Sequence, residues 1–318
     1  MHDLPLIDLS APPARLRVDV ERACHDIGFM YVVNHGIEAA TISAARAAVV
    51  AYFERPLEEK LAERITRANY RGYIPTGFFS PNSGDAPADN YEGYKLHFET
   101  KRNDPICRDC DLYGENRWPA APAGFREAIL AYWQACDRVA GSLLAMIASV
   151  LDVDPDGFLG LFDRPLTNMT LLHYPPQAPD APGYGIHPHK DTDALTILTP
   201  DEVGGLLVKK RGIDDWLEVS PPADALVVNI GDLLELWSGG YFVSTPHKVV
   251  NRSGAERYSF PYFAVPRHDV VVEPLRARQA GFTRSGVHVA DVSREVWRTN
   301  WPDTVPGRPE FDLGTLPD

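Results

Sequence analysis

From residue 166 onward the chain is cut into short apolar runs: LTNMTLLHYPP, DALTILTP, GGLLVKK, WLEVSPP, ALVVNIG, LELWSGG, FVSTPHKVV and YSFPYFAV. Gly, Pro, Asp and Ser separate them at intervals of about 8–12 residues, the rhythm of a sandwich or barrel built from short strands. The preceding half has a different period. Residues 13–28, 38–66 and 123–153 show helical spacing of apolar residues, with Pro56 interrupting the second stretch. LPLIDLS and Phe29 to Val33 read as strands, Asn34-His35-Gly36 as a turn, and the Gly-, Pro-, Asn- and Asp-rich residues 67–120 as irregular. A further helix is predicted over 291–299, ahead of a Pro/Gly-rich tail. The expected fold is α+β and mainly β, a double-stranded β-helix or jelly roll flanked by N-terminal helices. Its parts are a helical and loop region over 1–165, a jelly-roll core over 166–275, and a C-terminal helix and lid tail over 276–318, forming one compact unit.

With 318 residues, 44% of them hydrophobic, the chain can bury a sizeable core. No apolar run approaches the length of a bilayer span. The opening MHDLPLIDLSAPPARL lacks the basic start and long apolar segment of a signal peptide. A monomeric cytoplasmic protein is expected. The net charge of −13 repels phosphate backbones, so a nucleic-acid partner is not expected and a small-molecule substrate is. Four cysteines (Cys24, Cys107, Cys110, Cys136) are too few for a disulfide scaffold. Cys107 and Cys110 form a lone CxxC without a second pair, read as an incidental reduced pair.

The residues that carry chemistry are His189, Asp191 and His247. The first two have i, i+2 spacing in HPHKDTDALTIL, which on a strand places both side chains on one face. His247 lies on a later run, STPHKVVN. Two imidazoles and a carboxylate suit Fe(II) and leave coordination positions open. Shortly after His247 come Arg257 and Ser259, again i, i+2. An arginine fork binds a carboxylate bidentately, and a serine hydroxyl adds a donor. A dicarboxylate such as 2-oxoglutarate, chelating the metal at its oxo-acid end, needs such an anchor at its distal end. His187 could share the face of His189, His35 reads as structural, and Asn229 is expected to satisfy backbone groups at a turn.

These blocks resemble, in order, the isopenicillin N synthase-like family of Fe(II)/2-oxoglutarate-dependent oxygenases. LPLIDLS is similar to that family's opening strand, GFMYVVNHGI to its GFFxVxNHGI block, and HKDTDALTIL to HTDxxxLTxL. LLHYPP, GGLLV, Trp216, VVNIGDLLELWSGG, STPHKVVN and RYSFPYF complete the series. The resemblance runs from about residue 4 to residue 265. It implies that His189, Asp191 and His247 are the iron ligands. It also implies that Arg257, Ser259 and Tyr174 hold 2-oxoglutarate, and that Tyr94, Leu96, Thr170, Phe263 and Val265 line the substrate pocket. One position departs: plant members often carry Asn where this chain has Leu172, which removes a polar contact to the co-substrate.

The implied reaction consumes O2 and 2-oxoglutarate, releases succinate and CO2, and hydroxylates, desaturates or cyclises a small specialised metabolite at a C–H bond. An oxidase resembling isopenicillin N synthase itself stays open, because there the same Arg257 and Ser259 pair would hold a substrate carboxylate. An incomplete triad would favour a non-catalytic ligand sensor, and this triad is complete. A zinc hydrolase could use the three ligands but gives the anchor no role.

Overall fold

The computed structural model describes residues 4–78, 88–178 and 182–299. The elements in chain order are β1 (Leu6–Asp8), α1 (Pro13–Asp26), β2 (Phe29–Val33), α2 (Ala39–Phe53), α3 (Leu57–Ala62), β3 (Gly72–Ile74), β4 (Glu92–His97), α4 (Ile106–Asp109), α5 (Phe125–Val150) and α6 (Pro155–Gly160). They continue with β5 (Asn168–Tyr174), β6 (Ile186–His189), β7 (Leu195–Leu198), β8 (Leu206–Val208), β9 (Leu217–Glu218), β10 (Leu226–Ile230), α7 (Asp232–Trp237), β11 (His247–Val249), β12 (Arg257–Ser259), β13 (Tyr262–Ala264), β14 (Val271–Val272), β15 (Val287–His288) and α8 (Val289–Thr299). Pro56 caps α3 at its N-terminus and so ends the helical stretch that begins with α2.

Two sheets form the jelly roll. The larger runs β1-β2-β10-β7-β13-β5-β4-β3, with β12 also pairing β5, and the smaller runs β6-β11-β8-β9. Four of the strands in the larger sheet come from before residue 166, so the N-terminal region completes the core sheet as well as flanking it. Two strands, β3 and β4, fall within the stretch read as irregular. In β4 the apolar Tyr94 and Leu96 alternate with Lys95, a period-2 signal hidden by the Gly- and Asn-rich sequence around it. LELW, grouped with the β-type runs, is the helix α7. A run this short cannot distinguish strand from buried helix by period, and all six residues of α7 are buried, Asp232 and Glu235 included.

The larger sheet has two unlike faces. On one, Tyr94, Leu96, Met169, Tyr262, Ile197 and Val228 pack toward α2 and α5. The helix α5 meets them with Ile129, Tyr132, Trp133, Cys136, Val139, Ala140, Leu143, Leu144 and Ile147, an i, i+3, i+4 stripe. The Tyr262 hydroxyl donates to Asp137 Oδ1 at 2.6 Å, tying α5 to β13. On the other face, one row of directly paired residues crosses five strands: Asn229–Thr196–Phe263–Asn168–His97. Paired neighbours share a face, so this row forms one continuous wall.

A buried ion cluster secures β4. Glu92 accepts from Lys60 Nζ at 2.7 Å, the Tyr73 hydroxyl at 2.5 Å and His173 Nδ1 at 2.8 Å. Lys60 and Glu92 are 5% and 6% exposed, so neither is solvated without the other. Replacing Glu92 by leucine leaves Lys60 uncompensated and is expected to destabilise the protein by about 3–5 kcal/mol. A denaturant melt of the variant checks this, and a change under about 1 kcal/mol would show that the cluster is dispensable.

Candidate metal centre and its cavity

The seam between the two sheets brings the three sequence-distant residues together. His247 on β11 pairs directly with His189 on β6. Their ring centroids are 4.3 Å apart, and each Nε2 lies 3.7 Å from Asp191 Oδ1. One ligand atom from each residue lies within 4.8 Å of the others. Asp191 does not share a strand with His189, because β6 ends at His189. The loop after β6 carries Asp191 to the site, where its backbone carbonyl accepts from Asp232 N at 2.8 Å. Gly231 permits this approach: a Cβ there would lie 2.2 Å from the Asp193 carbonyl oxygen.

The surroundings orient each donor. His189 Nδ1–H donates to the His187 carbonyl at 2.8 Å and His247 Nδ1–H to the Thr245 carbonyl at 3.2 Å. Both Nε2 atoms are then lone-pair donors aimed at one point, the arrangement metal-binding histidines need. Asp191 Oδ2 accepts from Thr196 Oγ1 at 2.5 Å and Asn229 Nδ2 at 2.8 Å, leaving Oδ1 for the metal. Burial, with His247 alongside, pushes the His189 imidazole down to about 4, so it stays neutral at physiological pH. Burial works against charge on Asp191, but His247, His189 and the two hydrogen bonds hold its carboxyl below the usual range. Asp193, buried beside Asp191, is pushed well above it. The Thr196 hydroxyl stands between the two carboxylates, 2.5 Å from Asp191 Oδ2 and 2.8 Å from Asp193 Oδ2.

Asn229 does not satisfy a turn, as its sequence context suggests. It donates to the Asp191 carboxylate from β10, paired in register with Thr196 on β7. No local signal in VVNIGD distinguishes the two roles. Asn229→Ala is expected to weaken metal binding about 10- to 100-fold. A chelator competition titration measures it, and unchanged affinity would remove Asn229 from the site.

Arg257 and Ser259 lie on β12 opposite Tyr174 and Leu172 of β5. Arg257 is 3% exposed, stacks 4.6 Å from the Tyr174 ring centroid, and donates through Nε to the Gly204 carbonyl at 2.6 Å. Its Nη1 is buried without a hydrogen-bond partner. An unsatisfied buried guanidinium nitrogen is costly and fits a site that receives a carboxylate. Burial pushes the Tyr174 hydroxyl up to about 12, against the pull of Arg257, so it remains a donor.

A cavity of about 410 Å³ opens beside the triad, in the range of small-molecule sites. Thr170, Leu172, Phe263 and Val265 line it. Tyr94 and Leu96 do not: both are fully buried on the helix-facing side of β4, where Tyr94 packs 4.7 Å from Tyr52 and donates to the Arg117 carbonyl. The alternation of the strand gives the cavity to Lys95 and His97 instead. His187 also lines it, held by Asp89 at 2.9 Å. The helix α8 closes one side through Val292, Val296 and Trp297, residues that family motifs ending at residue 265 could not locate. His35 bonds the Asp224 carbonyl at 2.9 Å, a structural role. Cys107 and Cys110 are free thiols outside the cavity.

A jelly roll with two imidazoles and a carboxylate at its seam, a buried guanidinium awaiting an anion and a cavity beside them defines a non-haem Fe(II) oxygenase. Comparison with known proteins narrows the class. A profile described as the 2OG-Fe(II) oxygenase superfamily matches residues 166–266, and one described as the non-haem dioxygenase in morphine synthesis N-terminal region matches 4–121. The chain is 34% identical to a 2-oxoglutarate-Fe(II) type oxidoreductase of Emericella nidulans over 85% of its own length and 82% of the relative's. It is 32% identical to a 2-oxoglutarate-dependent dioxygenase of Monascus ruber, over 86% and 87%. The solved structure of a full-length Neurospora crassa protein in complex with alpha-KG superposes with a TM-score of 0.78 at 25% identity, over 92% and 95% of the two chains. The chain belongs to the 2OG-Fe(II) oxygenase superfamily and is an Fe(II)/2-oxoglutarate-dependent dioxygenase.

Proposed function

We propose that the protein oxidises a C–H bond of a small specialised metabolite, using His189, Asp191 and His247 as the Fe(II) ligands and Arg257, Ser259 and Tyr174 to hold 2-oxoglutarate. Bound iron, with O2 and 2-oxoglutarate, supplies an oxidant able to attack an unactivated C–H bond while the co-substrate becomes succinate and CO2. The chain's own part is positional. Thr196 and Asn229 fix the Asp191 carboxylate, the His187 and Thr245 carbonyls fix the imidazole tautomers, and Arg257 with Ser259 orients the distal carboxylate. Phe263, Val265 and the α8 residues keep water from the reacting bond. The reading includes a cytoplasmic monomer that does not bind nucleic acid, in keeping with the −13 net charge and four unpaired cysteines. Among the described residues no helix is long and apolar enough to cross a membrane.

The observation that carries the reading is the unpartnered Arg257 Nη1, buried on the strand that faces Tyr174. Anaerobic titration of the Fe(II)-loaded protein with 2-oxoglutarate tests it. A visible charge-transfer band is expected. Intact iron binding without a band would favour an oxidase whose substrate carboxylate occupies the arginine.

A further inference from the structure

The cavity wall holds a cation that the proposed reaction does not use. Lys95 projects from β4 into the cavity, near the His97–Asn168 end of the five-strand row. Its Nζ donates to Asn168 Oδ1 at 2.7 Å and Thr170 Oγ1 at 2.8 Å. Both acceptors are neutral, and an ammonium has three donors, so one remains for the cavity. Among the described residues no carboxylate forms an ion pair with it. The other charged groups of the wall have partners of their own: Asp89 with His187 at 2.9 Å, Lys190 with Glu235 at 3.8 Å, Asp191 with Thr196 and Asn229, and Asp193 with Thr196. His97 is driven neutral by burial, with Arg71 and Lys95 adding to the effect. Burial pushes Lys95 itself down to about 7, against the pull of Asp191 and Asp193 across the cavity, the consequence of holding a cation there without a paired counter-charge.

The walls around this nitrogen are aromatic. Nζ lies 5.2 Å from the Phe263 ring centroid and 5.9 Å from that of Tyr70, and Trp297 packs 5.2 Å from Tyr70. A cavity of about 410 Å³ with flat apolar sides and one unpaired cation is complementary to a ring with an acidic substituent. Arg257 is not available for that substituent, because β12 places it at the Tyr174 end of β5.

We propose that Lys95 is the specificity-determining residue of the cavity, and that the primary substrate is a small ring-bearing organic acid whose carboxylate pairs with Lys95 while Phe263, Tyr70 and Trp297 enclose its ring. This rests on the cavity being the substrate site of the dioxygenase. Pairing restores the charge on Lys95 and satisfies its third donor, so an acid gains where its neutral analogue does not.

The test is calorimetric titration of the full-length protein, loaded anaerobically with Fe(II) and 2-oxoglutarate, with phenylacetate, cinnamate and 2-naphthoate and with their primary amides. Acids are expected to bind, amides to bind about 10- to 100-fold more weakly, and Lys95→Met to erase the difference. Lys95→Arg is expected to keep part of the preference. Retained 2-oxoglutarate binding shows that Lys95→Met is folded. Amides binding as well as acids, acids indifferent to Lys95→Met, or no acid binding in the millimolar range would each overturn the proposal. The same titration without 2-oxoglutarate separates the two readings. Acid binding that depends on Lys95 would survive a failure of the co-substrate assignment, and a normal charge-transfer band with no acid preference would sink the Lys95 assignment alone.

Discussion

Replacing His247 by alanine is expected to abolish Fe(II) retention and reduce turnover to background. The imidazole is one of three donors, and its Nε2 stands 3.7 Å from Asp191 Oδ1. Losing it leaves His189 and Asp191, a bidentate site that competes poorly with water and buffer for a divalent ion. The effect should exceed the roughly 10- to 100-fold expected of the supporting Asn229, because a donor is lost and not merely its orientation. The ring also packs edge-on 5.3 Å from Phe29, so some stability goes with it. His247→Gln, closer in volume, controls for that. The measurement is iron per chain after anaerobic loading and desalting, with the thermal melt recorded alongside. Full iron retention by a folded His247→Ala protein would refute the assignment of the triad.

Arg257→Ala is expected to raise the 2-oxoglutarate concentration needed for half-maximal turnover by roughly 30-fold to several thousand-fold, the equivalent of about 2–5 kcal/mol for truncating one side of a buried charge pair. Iron retention should be nearly unchanged, because the guanidinium contacts the Gly204 carbonyl and Tyr174 and none of the three ligands. Lysine should rescue poorly: it lacks the planar fork and cannot keep both the Gly204 contact and a bidentate carboxylate. Succinate formation against co-substrate concentration provides the readout. A variant with unchanged dependence would remove Arg257 from the anchor. Loss of the charge-transfer band with intact iron would agree with it.

Much of the candidate site is legible because its residues occur as short spaced pairs. His189 with Asp191 and Arg257 with Ser259 stand two apart, and the turn-separated runs around them declare a β architecture. Spacing is nevertheless an incomplete guide. Asp191 reaches the metal position from the loop beyond β6, so strand alternation is not what aligns it with His189. On β4 the family resemblance picks the wrong side of the alternation. Tyr94 and Leu96 are the expected cavity residues, whereas it is Lys95 and His97 that line it. Nothing in YEGYKLHF states which face looks inward, since the apolar face can meet either the helices or a ligand. Pairing with β5, which sets Lys95 opposite Thr170, decides it.

The sequence by itself determined the kinds of donors present and the strand-rich fold able to gather them. Residue chemistry and the apolar period are local properties, written within a few positions. The tertiary structure decided what depends on distant segments meeting. His247 faces His189 because β11 pairs with β6, and Asn229 and Thr196 share the Asp191 carboxylate because β10 pairs with β7. The helix α8 closes a cavity formed largely by strands far upstream. Register is a relation between two strands, and a single strand's residues carry no record of the partner that will fix which of its faces is inside.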